Sequence, residues 1–278
     1  MMGDEILDLK NAKPSKIIRK KHIPSTIQAD TLFTFMTKLD YLVAIIKNKR
    51  ISARYCEEDL SYLKISKLKK IAFPMKCFCD INMHRLEIHL KFYGCYGLAF
   101  EKAWGMRKGI QPIQYVNPYS NLIKDFEEAF SAAMNLEIQD EDSPQTKMQN
   151  FLLHELMYYK PYDGIIKNRN TNKKKRKCFA DECEWRFIPN VSGTGFHQIL
   201  RDEQIINVDS FEILNNGLEK VVNVALSFNY EDLKYIIIEK KEDFYVLLDT
   251  IKNINISDDE KYLLTSKIII WESSKGDF

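Results

Sequence analysis

The chain has 278 residues, enough for one large hydrophobic core or two small ones, and its 45% hydrophobic, 12% aromatic and 29% charged make-up is that of an ordinary soluble globule. Its 41 basic against 39 acidic residues leave a formal net charge of +2, which excludes a global electrostatic pull towards nucleic acid. Charge is local instead: residues 10–21 and 167–177 are basic, and residues 137–142 are acidic.

No apolar run approaches the length of a membrane span, and the opening MMGDEILDLKNAK lacks the apolar core region of a secretion signal. The expected compartment is therefore the cytoplasm, with the six cysteines as reduced thiols. Residues 1–30 read as a basic arm, in which Pro14 and Pro24 oppose a long helix, and residues 31–278 as a single α+β domain. Residues 31–35 suggest a strand and 39–47 a helix, with Asn48 suited to a left-handed helix end before Lys49. ISARYCEED continues as strand or turn and sets Arg54 beside Tyr55.

Residues 71–104 form the densest part of the pattern. If 76–80 is extended, Cys77 and Cys79 share one face, with Phe78 and Asp80 on the other. MHRLEIHLKFYG follows at helical spacing, with Met83, Leu86, Leu90 and Tyr93 on one side and His89 on the flank near Gly94. Gly94 and Gly97 bracket Cys95 and Tyr96, and a strand resumes at 98–100. Further on, 113–116 is strand-like and 121–136 and 145–159 are amphipathic helices; KPYDG is a turn signature, and IIKNRNTNKKKRK is a basic connection too polar to pack. CFADECEWRFIP reads as a strand ended by Pro189. A strand at 204–208, a helix at 217–225, a strand at 233–239, helices at 242–253 and 258–264, and the apolar KIIIW close the chain. The order is mixed α+β, with neither G-x-G-x-x-G nor a P-loop.

Alternation in DECEWRFIP puts Glu182, Glu184 and Arg186 on one face and Cys183, Trp185 and Phe187 on the other. Two glutamates so close repel, so one should carry a raised pKa unless Arg186 neutralises the pair. The set suits holding a sugar hydroxyl or steadying a developing positive charge; the competing reading is a solvent-facing edge strand with a cross-strand ion pair. His89 could orient a substrate or be a structural residue. Arg54 could bind a phosphate or pair with Glu57 or Glu58. Zinc at Cys77, Cys79, Cys178 and Cys183 competes with free thiols, but C-x-C and C-x4-C are not the usual knuckles, and no metal site is expected. The run 167–177 could contact nucleic acid or an acidic partner, although no aromatics interleave with its charges.

LFTF, ISARYCEEDL, AFPMKCFCDI, H-x3-YG-x-YG-x-AFEKAWG, DECEWRFIP, DLKYIIIEK and SKIIIWESSKGDF, in that order over residues 31–278, resemble the AbiGi family of bacterial abortive-infection proteins. The resemblance implies the antitoxin half of a two-component phage-resistance system, restraining a toxin similar to nucleotidyltransferases. The pattern is also similar to ADP-ribosyltransferase-like domains, which implies a mixed sheet core with flanking helices. By that likeness Thr34 is the polar residue of a first strand, Cys77 or Cys79 the small residue of a second, and Glu184 the catalytic glutamate of a third, with Glu182 completing an E-x-E pair. NAD would be the cofactor and Tyr93 or Tyr96 would stack on its nicotinamide. Thr34 stands where many such transferases carry histidine, and cysteine stands where they carry serine; both changes favour a binding scaffold over catalytic NAD use.

Overall fold

A computed structural model describes residues 22–66, 68–138, 140–167, 174–205 and 208–277, so most of the expected arm lies outside the described residues. The chain opens with β1 (Thr31–Met36), α1 (Leu39–Asn48), β2 (Arg50–Ile51), β3 (Arg54–Asp59) and the long β4 (Lys70–Cys79). α2 (Leu86–Tyr93), β5 (Tyr96–Glu101), α3 (Lys102–Arg107), β6 (Gln111–Pro112) and β7 (Gln114–Val116) follow. Two helices, α4 (Leu122–Met134) and α5 (Pro144–Leu156), precede β8 (Tyr159–Pro161), β9 (Asp163–Lys167), β10 (Lys174–Cys178), β11 (Glu184–Phe187) and β12 (Leu200–Arg201). The remainder is α6 (Asp202–Ile205), α7 (Val208–Glu219), β13 (Leu226–Ser227), β14 (Leu233–Ile238), α8 (Lys241–Asn253), α9 (Asp258–Ser266), β15 (Ile268–Ile270) and α10 (Trp271–Ser274).

The main sheet runs β15-β14-β5-β1-β4-β11-β6, with β3 and β12 also paired to β4. It is mixed: β14 and β15 are parallel, joined through α8 and α9, while the other neighbours are antiparallel. β4 is its spine. The carboxyl-terminal half pairs with β11 (Glu184↔Cys79 to Phe187↔Lys76) and meets β1 at Phe33↔Cys79. The amino-terminal half pairs with β3 (Arg54↔Met75 to Asp59↔Lys70) and β12. One core cluster gathers Leu32, Phe78, Phe100, Trp104 and Ile236 with Leu42 and Ile46 of α1 and Leu247 of α8. A second puts Phe73 and Met75 of β4 against Phe126 and Phe130 of α4 and Leu152 of α5. β4 thus sends alternate residues into different cores, as a period of two requires. Among the described residues no helix is long and apolar enough to cross a membrane.

Several expectations are corrected. The left-handed helix end falls on Lys49 (φ 48°, ψ 38°) rather than on Asn48. Its ammonium, 3.3 Å from Glu260 and 4.1 Å above the Tyr230 ring, offsets the strain by tertiary contact. KPYDG is not a simple turn: Tyr159, Lys160 and Pro161 pair in parallel with β7 at Gln114, Tyr115 and Val116. The basic run is not an unpacked connection throughout, because β9 and β10 form an antiparallel ribbon from Cys178↔Asp163 to Lys174↔Lys167; residues 168–173 lie outside the described residues. CFADECEWRFIP is not one strand either. Phe179–Glu182 is a 3-10 turn, and Cys183 (φ 44°) is left-handed before β11 begins. The strand expected at 204–208 is helical where described, since Phe211, Leu214 and Leu218 of α7 pack on Tyr55, Ala72 and Leu200.

Candidate functional site

A cavity of about 940 Å³ opens beside β4, walled by β1, β3, α2, β8, β9 and the approach to β11. Its polar wall is an ion network. Lys160 Nζ lies 2.7 Å from Glu182 Oε2 and 2.6 Å from Glu184 Oε2. Lys177 Nζ donates to Glu182 Oε1 at 2.6 Å and to the Tyr93 hydroxyl at 3.2 Å, and the Tyr93 hydroxyl itself donates to Glu182. Arg186 is fully buried. Its Nε donates to Glu184 Oε1 (2.7 Å), Nη1 to the Met157 carbonyl (2.6 Å) and Nη2 to Glu58 (3.0 Å). The Glu184 backbone N–H donates to the Tyr115 hydroxyl at 2.8 Å. Three carboxylates, Glu58, Glu182 and Glu184, thus face three cations, Lys160, Lys177 and Arg186.

The charges explain the ionisation. Burial alone would raise the Glu184 carboxyl, but Arg186 and Lys160 outweigh it and hold the group far below the usual carboxylate range. Glu182 behaves alike: burial opposes ionisation, and Lys160 and Lys177 overcome it. No carboxylate of the pair is raised, because the network supplies Lys160 and Lys177 as well as Arg186. Burial and the neighbouring Glu182 push the Tyr93 phenol up. Burial also raises the thiols of Cys77 and Cys79, so neither is an activated thiolate.

Sequence reasoning singled out Thr34, Arg54, Cys79, His89, Tyr93, Glu182 and Glu184, and all of them line this one cavity. The Thr34 hydroxyl donates to the Cys77 carbonyl at 3.0 Å. Cys77 and Cys79 face the cavity together, while Phe78 enters the main core and Asp80 forms a buried 2.7 Å ion pair with Lys102. His89 is 7% exposed, between Phe35 and Tyr93 at ring separations of 6.2 and 6.1 Å. Among the described residues neither of its nitrogens has a partner at hydrogen-bond geometry, with only looser contacts to the backbone of Arg85 and Glu182, and burial and the nearby Lys177 lower its pKa. Tyr96 is not brought in: its hydroxyl donates to Asp243 at 3.3 Å, on α8.

β11 is no solvent-facing edge. It lies between β4 and β6, with Glu184 and Arg186 buried. Arg54 pairs with neither acid offered in the sequence, since Glu57 takes Lys70 (2.6 Å) and Glu58 takes Arg186. Nor do the thiols gather: Cys77 contacts the Met75 sulfur, Cys79 the Phe33 carbonyl, Cys178 the Tyr162 carbonyl and Cys183 the Ala180 carbonyl. Among the described residues no group of three or more His, Cys, Asp or Glu side chains is placed to hold a metal ion. Lys160, Tyr115 and Tyr62 were not foreseen. The one available signal was Lys160 between an aromatic pair and Pro161, and it reads equally as a turn.

The fold and site define a mixed α+β protein whose central strand carries a cavity backed by a buried ion network. The family model "Putative abortive phage resistance protein AbiGi, antitoxin" matches residues 49–239. The abortive phage resistance protein AbiGi of Lactococcus lactis subsp. cremoris is 32% identical over 245 residues, 81% of this chain and 98% of that protein. The chain belongs to the AbiGi family. The matched span holds Lys160, Glu182, Glu184 and Arg186, whereas Thr34 lies before it. No solved structure matches the chain, so no known fold supports the likeness to ADP-ribosyltransferases.

Proposed function

We propose that the chain is the antitoxin component of a two-component abortive-infection system, acting in the cytoplasm by binding and restraining a toxin similar to nucleotidyltransferases. The observation that carries this reading is the family match over 49–239, whose description names an antitoxin. The ionic character of the site agrees with it: a carboxylate held by Arg186 and Lys160 is well suited to fixing a scaffold and poorly suited to changing partners during a reaction. The exposed Lys174, Lys175 and Arg176 on β10 offer the partner, or a nucleic acid bound with it, a basic surface. Co-expression tests the reading. The adjacent gene should arrest growth alone and be harmless beside this chain; a neighbour harmless alone, or one whose toxicity survives co-expression, defeats it.

A second reading is NAD-dependent ADP-ribosyl transfer to a protein or nucleic acid on an ADP-ribosyltransferase-like sheet. It is favoured by the convergence of Thr34, Arg54, Cys79, Tyr93, Glu182 and Glu184 on one cavity. Glu184 would accept the nicotinamide-ribose 2′-hydroxyl and steady the oxocarbenium-like centre, with Tyr93 against the nicotinamide. Labelled NAD incubated with cell lysate should then mark a macromolecule, and Glu184→Gln should abolish the mark. Absent labelling, or labelling unchanged by that substitution, removes this reading.

A further inference from the structure

We propose that the cavity is a nucleotide-binding site, taking a nucleoside phosphate with its base against the Phe35–His89–Tyr93 wall and its phosphate at Arg54 and Lys76. The inference goes beyond the antitoxin reading. It shares its cavity with the second reading but needs no turnover.

Charge compensation inside the cavity is uneven. Of the carboxylates lining it, Glu57 is paired with Lys70, Glu58 with Arg186, Asp163 with Arg176, Glu182 with Lys160 and Lys177, and Glu184 with Lys160 and Arg186. Among the described residues only Asp59 lacks a cation; it is exposed and accepts from the Ser61 backbone N–H at 2.8 Å. The cations Arg54 and Lys76 also line the cavity, and neither has an ion-pair partner among the described residues. Burial lowers the Lys76 ammonium, Cys77 and Cys56 oppose that shift, and Arg54 adds a smaller repulsion. A phosphate between them would relieve both effects, and a guanidinium fork suits its geometry.

The other wall calls for a heteroaromatic ring. His89 is buried and lines the cavity with its ring nitrogens in only loose contact with the backbone of Arg85 and Glu182, and the buried Tyr62 hydroxyl on the same lining has no hydrogen-bond partner among the described residues. Leaving such groups unmatched is unfavourable. With its pKa lowered, His89 is neutral at physiological pH and carries one N–H donor and one acceptor nitrogen, the pairing found along a base edge. Phe35 and Tyr93 flank it with ring faces for stacking. A sugar phosphate would leave this wall unused, and an uncharged aromatic would leave Arg54 and Lys76 unused. The volume of about 940 Å³ lies within the range of small-molecule sites.

Titration calorimetry of the purified full chain with AMP, GMP, CMP, UMP, ADP and NAD, and with adenosine and inorganic phosphate as fragments, tests the assignment. At least one nucleotide should bind with a Kd of about 100 µM or tighter, and its fragments about tenfold more weakly. Arg54→Ala should cost about tenfold in nucleotide affinity and leave adenosine unaffected, because Arg54 is exposed and contacts only the phosphate. His89→Phe keeps the ring and should weaken nucleotide and nucleoside together. No binding of any nucleotide at about 1 mM, phosphate binding as tightly as nucleotides, or nucleotide binding indifferent to Arg54→Ala overturns the proposal. Nucleotide binding without Glu184-dependent NAD labelling upholds it while removing the transferase reading, and toxin neutralisation is scored separately in cells.

Discussion

The Lys160 ammonium lies 2.6 Å from Glu184, and the same nitrogen reaches Glu182 at 2.7 Å, so one cation on β8 ties a strand to the turn that precedes it. Removing it leaves two buried carboxylates with less compensation than their burial demands. Lys160→Met is expected to destabilise the chain by about 3–5 kcal/mol, the usual cost of breaking a buried pair on one side. The double substitution Lys160→Met with Glu182→Gln should cost less than the single one, because it removes a stranded charge. Urea unfolding of the three proteins measures both effects. A loss below about 1 kcal/mol for Lys160→Met would show the pair to be worth no more than a surface bridge.

The same network sets an acid limit on stability. Glu182 and Glu184 have folded-state pKa values below their ordinary 4.5, so the unfolded chain binds the extra protons. Their contribution is therefore fully present above about pH 4.5 and is lost as pH falls towards their folded values. His89, lowered from 6.5, acts in the same direction in an earlier window: its contribution is complete above about pH 6.5 and declines below it. Unfolding free energy measured from about pH 8 to about pH 3 should thus fall in two stages. His89→Phe should abolish the upper stage and leave the lower one. An upper stage that survives this substitution assigns it to another group.

The residues of β11 were legible because a period of two needs only local sequence: Glu184 and Arg186 share one face and Trp185 and Phe187 the other. Glu182 reaches the same cavity by a different route. It belongs to a 3-10 turn, and the left-handed Cys183 re-aims the chain before the strand starts, so alternation predicted its placement without describing its backbone. β1, α1, α2 and β5 were readable from apolar spacing, and the last two also from Gly94 between them. Lys160 was not, because its strand forms by parallel pairing to Gln114–Val116, a contact that leaves no local period. The β9–β10 ribbon escaped for a related reason. Its exposed lysines need no apolar face, and what anchors it is Phe179, which lies where a Cβ on Gly164 would come within 2.7 Å. The helical 202–219 region is held by Phe211, Leu214 and Leu218 against distant strands.

Gly94 links the helix bearing His89 and Tyr93 to β5. Its φ of 125° disfavours any side chain, and a Cβ there would sit 2.2 Å from the Met36 carbonyl oxygen and 2.7 Å from the Thr37 Cα. These are backbone atoms of the β1 end and cannot swing away. Gly94→Ala should cost about 3 kcal/mol or more, or prevent folding. If the protein remains folded, the displaced α2 should move Tyr93 off Glu182, a change visible in near-ultraviolet circular dichroism. A stability change within about 0.5 kcal/mol would mean that this turn relaxes freely.

Lys64 offers the opposite case, a strained residue held by its backbone N–H, which donates to the Ser61 carbonyl at 3.3 Å, and by no side-chain ion pair among the described residues. It follows a short 3-10 turn at Ser61–Leu63, is exposed, and adopts φ 58° and ψ 17°. Its side chain makes no ion pair among the described residues, whereas the left-handed Lys49 has Glu260 and the Tyr230 ring. The left-handed region costs a side-chain-bearing residue about 1–2 kcal/mol that glycine does not incur, while glycine's freer unfolded chain takes back part of that gain. Lys64→Gly should therefore stabilise the protein by about 0.5–1 kcal/mol, and Lys49→Gly should gain less because it also removes two contacts. Midpoints of urea unfolding compare the two variants directly. A net loss at Lys64 would mean that the unfolded-chain entropy of glycine outweighs the strain relieved at this turn.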